Sequence, residues 1–331
     1  MKRPRIGVVG AGTWGINVAS TCAKLGVLAA VCDTDLHALE RIRSRYDGVK
    51  IYCHYPTMLR LAKLDAVAIA APAQFHAEFA HLAIEAGLDV FVEKPLALSV
   101  SEASGIVDAA ERAGCKLAVG HVLLYHPAIR AMLKLIGQGC IGDVRHFRSR
   151  RLSWGRLRAH EDVWWSFAPH DVAVMLEVFG EEPSSVTSAS GAYVRPHIAD
   201  VTYADFAFST GRTAHVEVAW IDPNKRSGID VFGSRGVLSF AANGGESSLT
   251  LVPCGDRLNA RGEPELWRGE PQPIETPPGE PLTLELESFC RMERGGAPVV
   301  TDGREGLAVV RTLAMVHERA GWQSQPSEAV L

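Results

Sequence analysis

Short, wholly apolar runs alternate with longer amphipathic stretches through the first 120 residues. Arg5 to Val9, Val27 to Cys32, Lys50 to Tyr52, Ala66 to Ala70, Val90 to Val92 and Leu117 to Val119 read as strands. Runs that lack polar alternation suit strands buried on both faces. Between them lie helical stretches. Ile16, Val18, Ala19, Cys22, Ala23 and Leu25 form the inner face of one, which Gly26 stops. Others follow at Leu36–Arg45, from Pro56 to Leu61, at Ala77–Ala86 and at Ser99–Ala113. Strands alternating with helices at this spacing predict an α/β fold with a doubly wound parallel sheet.

Past Gly120 the pattern changes. Helices are expected at Pro127–Ile136 and Pro169–Phe179, the second introduced by Trp164 to Ala168. A strand runs from Asp143 to Leu152. Alternating runs then come in succession at Ser184–Tyr193, Tyr203–Phe208, Thr213–Trp220, Gly228–Phe232 and Val237–Ala241, separated by tight-turn residues. Consecutive strands of this kind predict a large, mostly antiparallel sheet. Pro253 to Pro281, rich in Pro, Gly and Glu, reads as surface loop, and Thr283–Arg294 and Arg304–Ala320 as closing helices. The expected division is a nucleotide-binding domain at 1–120 and an α+β domain at 121–331. A sheet with helices on one face leaves the other open to a substrate or to a second subunit, which suggests a homodimer or homotetramer.

Composition narrows the class. The 331 residues are 47% hydrophobic and 22% charged, enough to bury a sizeable core. A formal charge of -4 gives no footprint for nucleic acid. No run approaches the roughly 18 apolar residues of a membrane span, and the apolar run near the amino end is too short for a signal peptide. The seven cysteines are widely spaced without C-x-x-C, so reduced thiols in the cytoplasm are expected, with no disulfide framework and no metal site.

The candidate chemistry sits where apolar runs end. Gly10-Ala11-Gly12-Thr13-Trp14-Gly15 follows the first strand and opens a helix, and Asp33 ends the second strand about 20 residues further on. In such a turn the first glycine allows the bend, the second lets a pyrophosphate approach, and the third lets helix and strand pack closely. The helix amino end supplies N–H donors to phosphate. Asp33 would accept from ribose hydroxyls and repel a 2′-phosphate, which favours NAD over NADP. The loop Ala71-Pro72-Ala73-Gln74-Phe75-His76 and the segment Glu93-Lys94-Pro95 also follow strands, so all three converge at the carboxyl edge of the sheet. Thr13, Trp14, Ala71, Pro72, His76 and Glu93 are thereby candidate coenzyme contacts. His76 fits a helix cap as well as a ribose ligand.

This order of motifs, with His170 in the second domain, resembles the glucose-fructose oxidoreductase/inositol dehydrogenase (Gfo/Idh/MocA) family over nearly the whole chain. The resemblance implies hydride exchange between a nicotinamide coenzyme and a sugar or polyol carbon, with Lys94 at that carbon and His170 in the catalytic histidine position. The family's aspartate four residues before the histidine is absent; Ser166 stands there, and Asp171 follows the histidine. Whether Lys94 or His170 takes the proton stays open.

Gly120 to Pro127, with Tyr125 among them, Trp154-Gly155-Arg156 and Trp165 to Asp171 are similar to a branch acting on UDP-N-acetylhexosamines. That implies oxidation at C3, and a pyridoxal-phosphate aminotransferase that consumes the keto sugar. Arg150, Arg151, Arg156 and Arg158 suit a substrate pyrophosphate, or else form a solvated edge. Trp154, Trp164 and Trp165 could stack on uracil or fill the core. The substrate-site candidates are Tyr125, Arg150, Arg156, Trp165, His170 and Asp171. The 6-carboxylate form of the sugar nucleotide, a free sugar or inositol, and a non-catalytic NAD sensor are the alternatives.

Overall fold

The computed structural model describes residues 3–155, 157–158, 161–243, 246–295 and 299–320. The chain forms two compact units, and neither is one continuous piece. The first comprises the chain up to Tyr125 together with Gly279–Val310; the second comprises His126–Pro278 and the residues from Arg311 on. A single cut near residue 120 misses that return of the chain.

In the first unit, β1 (Ile6–Val9), β2 (Leu28–Cys32), β3 (Lys50–Tyr52), β4 (Ala66–Ile69), β5 (Asp89–Glu93) and β6 (Leu117–Gly120) form a six-stranded sheet in the order β3-β2-β1-β4-β5-β6. Every pairing in it is parallel. Its helices are α1 (Gly15–Lys24), α2 (Leu36–Arg45), α3 (Tyr55–Leu61), α4 (His76–Glu85) and α5 (Val100–Ala113). The α5 ends show why the predicted boundaries are close: the Ser99 hydroxyl accepts from the Glu102 N–H, and Gly114 closes the helix at φ 62. The order of strands reverses between β1 and β4, which places the ligand-binding crevice of such a sheet at their carboxyl ends.

The second unit contains α6 (Pro127–Gly137), β7 (Val144–Trp154), α7 (Val163–Phe179), β8 (Ser185–Gly191), β9 (Val201–Ala207), β10 (Thr213–Ala219), β11 (Ile221–Gly233), β12 (Gly236–Asn243), β13 (Glu246–Leu258), β14 (Pro264–Arg268) and β15 (Gln272–Ile274). Its nine strands run in the order β14-β13-β12-β11-β7-β10-β9-β8, with β15 on β13. All pairs are antiparallel except β7 with β10. Strict alternation in β9, where Thr202, Ala204 and Phe206 are buried and Tyr203, Asp205 and Ala207 exposed, marks a sheet with one covered face. Three strands lie in the stretch expected as loop: the end of β13, β14 and β15. Their Pro, Gly and Glu content is tolerated because they form a sheet edge.

The helix expected from Pro169 starts at Val163. Asp162 caps it, accepting from the Trp165 N–H at 3.0 Å, and Pro169 lies inside it. Of its 17 residues, 14 are buried, so α7 is the core helix of this unit.

Two helices remain, α8 (Pro281–Arg291) and α9 (Gly303–Ala320), and the division between units falls within α9. Leu282, Leu286 and Phe289 of α8 join Ile6, Val8, Phe91 and Ala118 in the core of the first unit. The Phe91 and Phe289 rings are 5.8 Å apart. A helix read from sequence as part of the second domain thus completes the first.

Candidate active site

The glycine turn of the first unit has the shape a dinucleotide requires. Gly10 adopts φ +90, and a Cβ there would lie 2.6 Å from the Ala70 carbonyl oxygen. A Cβ on Gly15 would lie 2.0 Å from the Gly10 oxygen, whereas one on Gly12 would meet nothing within 4 Å. The backbone at Gly12 is therefore open to a phosphate, while Gly10 and Gly15 tolerate no side chain. No side chain caps α1, and its first turn holds no acidic residue, which leaves that helix end free to favour an anion. Asp33 is held by the turn it serves: one oxygen accepts from the Ala11 N–H at 2.5 Å and the other from the Asp35 N–H at 2.8 Å.

His76 opens α4 as a buried tie between two loops. Its Nδ1 is 2.7 Å from the Pro95 carbonyl oxygen and its Nε2 is 2.9 Å from that of Ala71. It joins the loop after β4 to the segment after β5. The Lys94–Pro95 bond is cis.

Glu93 is strongly perturbed at this edge. It is buried, and its Oε1 accepts from the Trp14 indole N–H at 2.5 Å. The glycine turn and the Glu93-Lys94-Pro95 segment are thereby joined directly. Glu93 pairs with Gly120 across β5 and β6, and a Cβ on Gly120 would lie 2.7 Å from Glu93 Oε2. Burial pushes the carboxyl up to about 7, against the Trp14 hydrogen bond and the nearby Lys94 charge, which both lower it. Behind it, His121 is buried, with Nδ1 2.7 Å from Glu305 Oε2. Glu285 of α8 is buried too, and its carboxyl is raised by burial first and then by Glu93, Glu305 and Glu280.

Sequence reading missed the roles of His121, Glu285 and Glu305. One signal existed for Glu285. It falls on the apolar stripe of its helix, in register with Leu282, Leu286 and Phe289, where a solvated glutamate does not belong. Tyr125 is buried in the same unit, and its hydroxyl lies 3.2 Å from Thr301 Oγ1 and 3.4 Å from Ser288 Oγ.

In the second unit, His170 is half-buried on α7, one turn after the buried Ser166. Asp171 is buried and grips Arg151 of β7 through two bonds of 2.6 and 3.2 Å. Strand alternation splits the arginines that sequence groups together. Arg151 faces α7, whereas Arg148 and Arg150 lie on the opposite face, paired with Asp230 and Glu217. Arg158 pairs with Glu161 at 3.4 Å; Arg156 lies outside the described residues. Trp164 and Trp165 are core residues, the latter donating to His317 Nδ1 at 3.3 Å, and of these three tryptophans Trp154, at 73% exposure, offers an open ring. Among the described residues no helix is long and apolar enough to cross a membrane.

With this geometry, the comparisons with known proteins agree. Residues 4–121 match the oxidoreductase family with an NAD-binding Rossmann fold, and residues 129–239 match the GFO/IDH/MocA carboxy-terminal domain. The chain belongs to the GFO/IDH/MocA oxidoreductase family, and its first unit is that family's NAD-binding Rossmann domain. It is 26% identical to the UDP-N-acetylglucosamine 3-dehydrogenase of Acidithiobacillus ferrooxidans, over 96% of this chain and 97% of that one. The solved structure of that enzyme superposes with a TM-score of 0.84 at 24% identity, covering 98% and 100% of the two chains. An inositol 2-dehydrogenase of Rhizobium meliloti is also 26% identical, over 92% and 93%. The fold is shared with the WlbA dehydrogenase of Bordetella pertussis, solved with NADH and UDP-GlcNAcA (TM-score 0.79, 22% identity, 97% of each chain).

Proposed function

We propose that the chain oxidises the C3 hydroxyl of UDP-N-acetylglucosamine to the 3-keto sugar nucleotide with NAD⁺. The observation that carries the reading is the Trp14–Glu93 bond, which ties the dinucleotide turn to the strand end bearing Lys94. The likeness to UDP-N-acetylglucosamine 3-dehydrogenase over nearly the full length of both chains supports the substrate class.

The turn Gly10–Gly15 and Asp33 would hold the coenzyme, which supplies a nicotinamide carbon that accepts hydride. The chain's own part is proton chemistry. The Lys94 amine hydrogen-bonds the reacting hydroxyl and stabilises the alkoxide as it develops. His170 is the second candidate base. Because oxidation of a secondary alcohol by NAD⁺ runs uphill, a partner that consumes the ketone, such as a pyridoxal-phosphate aminotransferase, would draw the reaction forward. We further propose cytoplasmic action as a homodimer or homotetramer.

The test is NADH formation from NAD⁺ with UDP-N-acetylglucosamine, its 6-carboxylate or inositol, each with and without UDP. The expected result is turnover of UDP-N-acetylglucosamine with competition by UDP. Preference for the carboxylate moves the assignment to the uronate. Turnover of inositol that UDP leaves unchanged overturns the nucleotide reading, and coenzyme binding with no NADH from any of the three makes the chain a sensor.

A further inference from the structure

Lys94 lies between two residues that are each held from outside their own segment. On one side, Glu93 Oε1 accepts from the Trp14 indole N–H at 2.5 Å. On the other, the Pro95 carbonyl oxygen lies 2.7 Å from Nδ1 of His76, whose Nε2 lies 2.9 Å from the Ala71 carbonyl oxygen. The ladder between the neighbouring strands β4 and β5 ends at Ile69 and Val92, so the imidazole adds a rung beyond the last backbone pair. A short helical turn at Ala73–Phe75 leads straight into α4 and brings the ring back to the Ala71 carbonyl. These two acceptors fix more than position. A backbone carbonyl has no proton to give, and a neutral imidazole has a single N–H. The neutral ring would therefore turn one bare nitrogen towards a carbonyl oxygen at hydrogen-bond distance, lone pair against lone pair. The imidazolium carries two N–H groups and satisfies both. Burial, with the residue 1% exposed, and the positive amino end of α4 oppose the cation. Two charge-assisted bonds favour it, and without it one carbonyl faces a lone pair in the interior. Of the charged side chains beside it in the chain, Glu78 in the first turn of α4 favours the cation and the Lys94 ammonium opposes it.

We propose that His76 is an imidazolium at neutral pH and a positioning residue for Lys94, its two N–H groups donating at once to the carbonyls of Ala71 and Pro95. With Trp14 holding Glu93 and His76 holding Pro95, the backbone of Lys94 is fixed on both sides. The bridge also ties that backbone to the loop after β4, so the two strand ends move as one piece. A reacting group misplaced by about 1 Å can cost a hundredfold in rate, which is the scale on which such bracketing matters. The positioning role rests on the dehydrogenase reading; the charge on the ring does not.

The charge is read by nuclear magnetic resonance on the full wild-type chain, labelled with 15N and 13C and free of coenzyme. Both ring nitrogens of His76, assigned through ring-to-backbone correlations, should show the shifts of protonated nitrogens at about pH 7.5, where an ordinary histidine is mostly neutral. One protonated and one bare nitrogen overturns the proposal, and no variant is needed to see it. The positioning role is read in His76→Gln, whose amide N–H group reaches one carbonyl and turns its oxygen to the other, and in His76→Phe, which donates to neither. With NAD⁺ and UDP-N-acetylglucosamine, kcat should fall about a hundredfold in His76→Phe, and less in His76→Gln, while KM for the sugar nucleotide changes far less. A merely structural histidine would lower the melting temperature and leave kcat unchanged well below it; that result overturns the positioning role. Should one variant fail to fold, the other carries this arm, and the wild-type nitrogen shifts decide the charge regardless. A doubly protonated ring in a chain that forms no NADH from the sugar nucleotide, its 6-carboxylate or inositol overturns the dehydrogenase reading and the role at Lys94, while the imidazolium bridge stands.

Discussion

In the first unit, ionisable side chains collect near strand ends out of reach of water: Glu93 at the end of β5, His121 after β6, and Glu285 brought in by α8. In the second, Arg148, Arg150, Glu217 and Asp230 lie along the strands on a partly exposed face, each with a partner of opposite sign. Both sets are ionisable, but their physical roles differ. A buried carboxyl responds to desolvation by holding protons at neutral pH, so it can do acid–base work. A half-exposed ion pair is screened and contributes little beyond solubility and register. The contrast separates a unit with buried ionisable groups near its strand ends from one whose charged strand residues are paired on a partly exposed face.

The comparison can be broken by substitution. Leu286→Ala, which deletes a fully buried side chain where α8 meets the first sheet, should destabilise the protein by about 2–5 kcal/mol in urea titration. A smaller loss would mean that α8 is dispensable to that core. Asp171→Ala leaves the Arg151 guanidinium without its buried partner and should cost about 3 kcal/mol by the same measurement. Lys94→Ala should bind NAD normally while NADH formation drops by at least about a hundredfold, roughly 2.7 kcal/mol of barrier; near-wild-type turnover would remove the lysine from the chemistry.

Glu285→Gln tests the sign of the buried charge. Because the folded carboxyl is raised above its unfolded value, the contribution of Glu285 to stability is most favourable below about pH 4.3 and declines as pH rises toward the folded value. The melting temperature of the variant should therefore gain on the wild type with increasing pH, and parallel curves would show an ordinary solvated glutamate. Arg148→Ala, at the exposed pair, should change stability by less than about 1 kcal/mol, and less still in high salt.

Much of the first unit was legible because parallel strands covered on both faces are continuous apolar runs, and Val90 to Val92 needs no tertiary information to be recognised. The carboxyl-edge rule then brings Gly10–Gly15, Ala71–His76 and Lys94 to one side of the sheet. What periodicity does not carry is partnership. The stripe Leu282, Leu286, Phe289 says that α8 has an apolar face, but not which sheet it covers. The Trp14–Glu93 bond joins residues 79 positions apart and leaves no trace in spacing. Pro169 resembles a helix start because proline is favoured there, yet the operative signal is Asp162, whose carboxylate meets the Trp165 N–H. The arginine group after β7 reads as one cluster only when strand alternation is ignored.

The return of α8 to the first unit has a consequence for biosynthesis. A ribosome that has finished β6 has made all six strands of the dinucleotide sheet, but more than half of the chain must still emerge before Leu286 and Phe289 reach Ile6, Val8 and Phe91. Until then Val18, Cys22, Leu39 and Ile42 of α1 and α2 cover only part of that apolar cluster and the share that α8 fills stays open, a state that favours chaperone capture over early completion. Translation through Phe289 therefore precedes the final closure of the first unit.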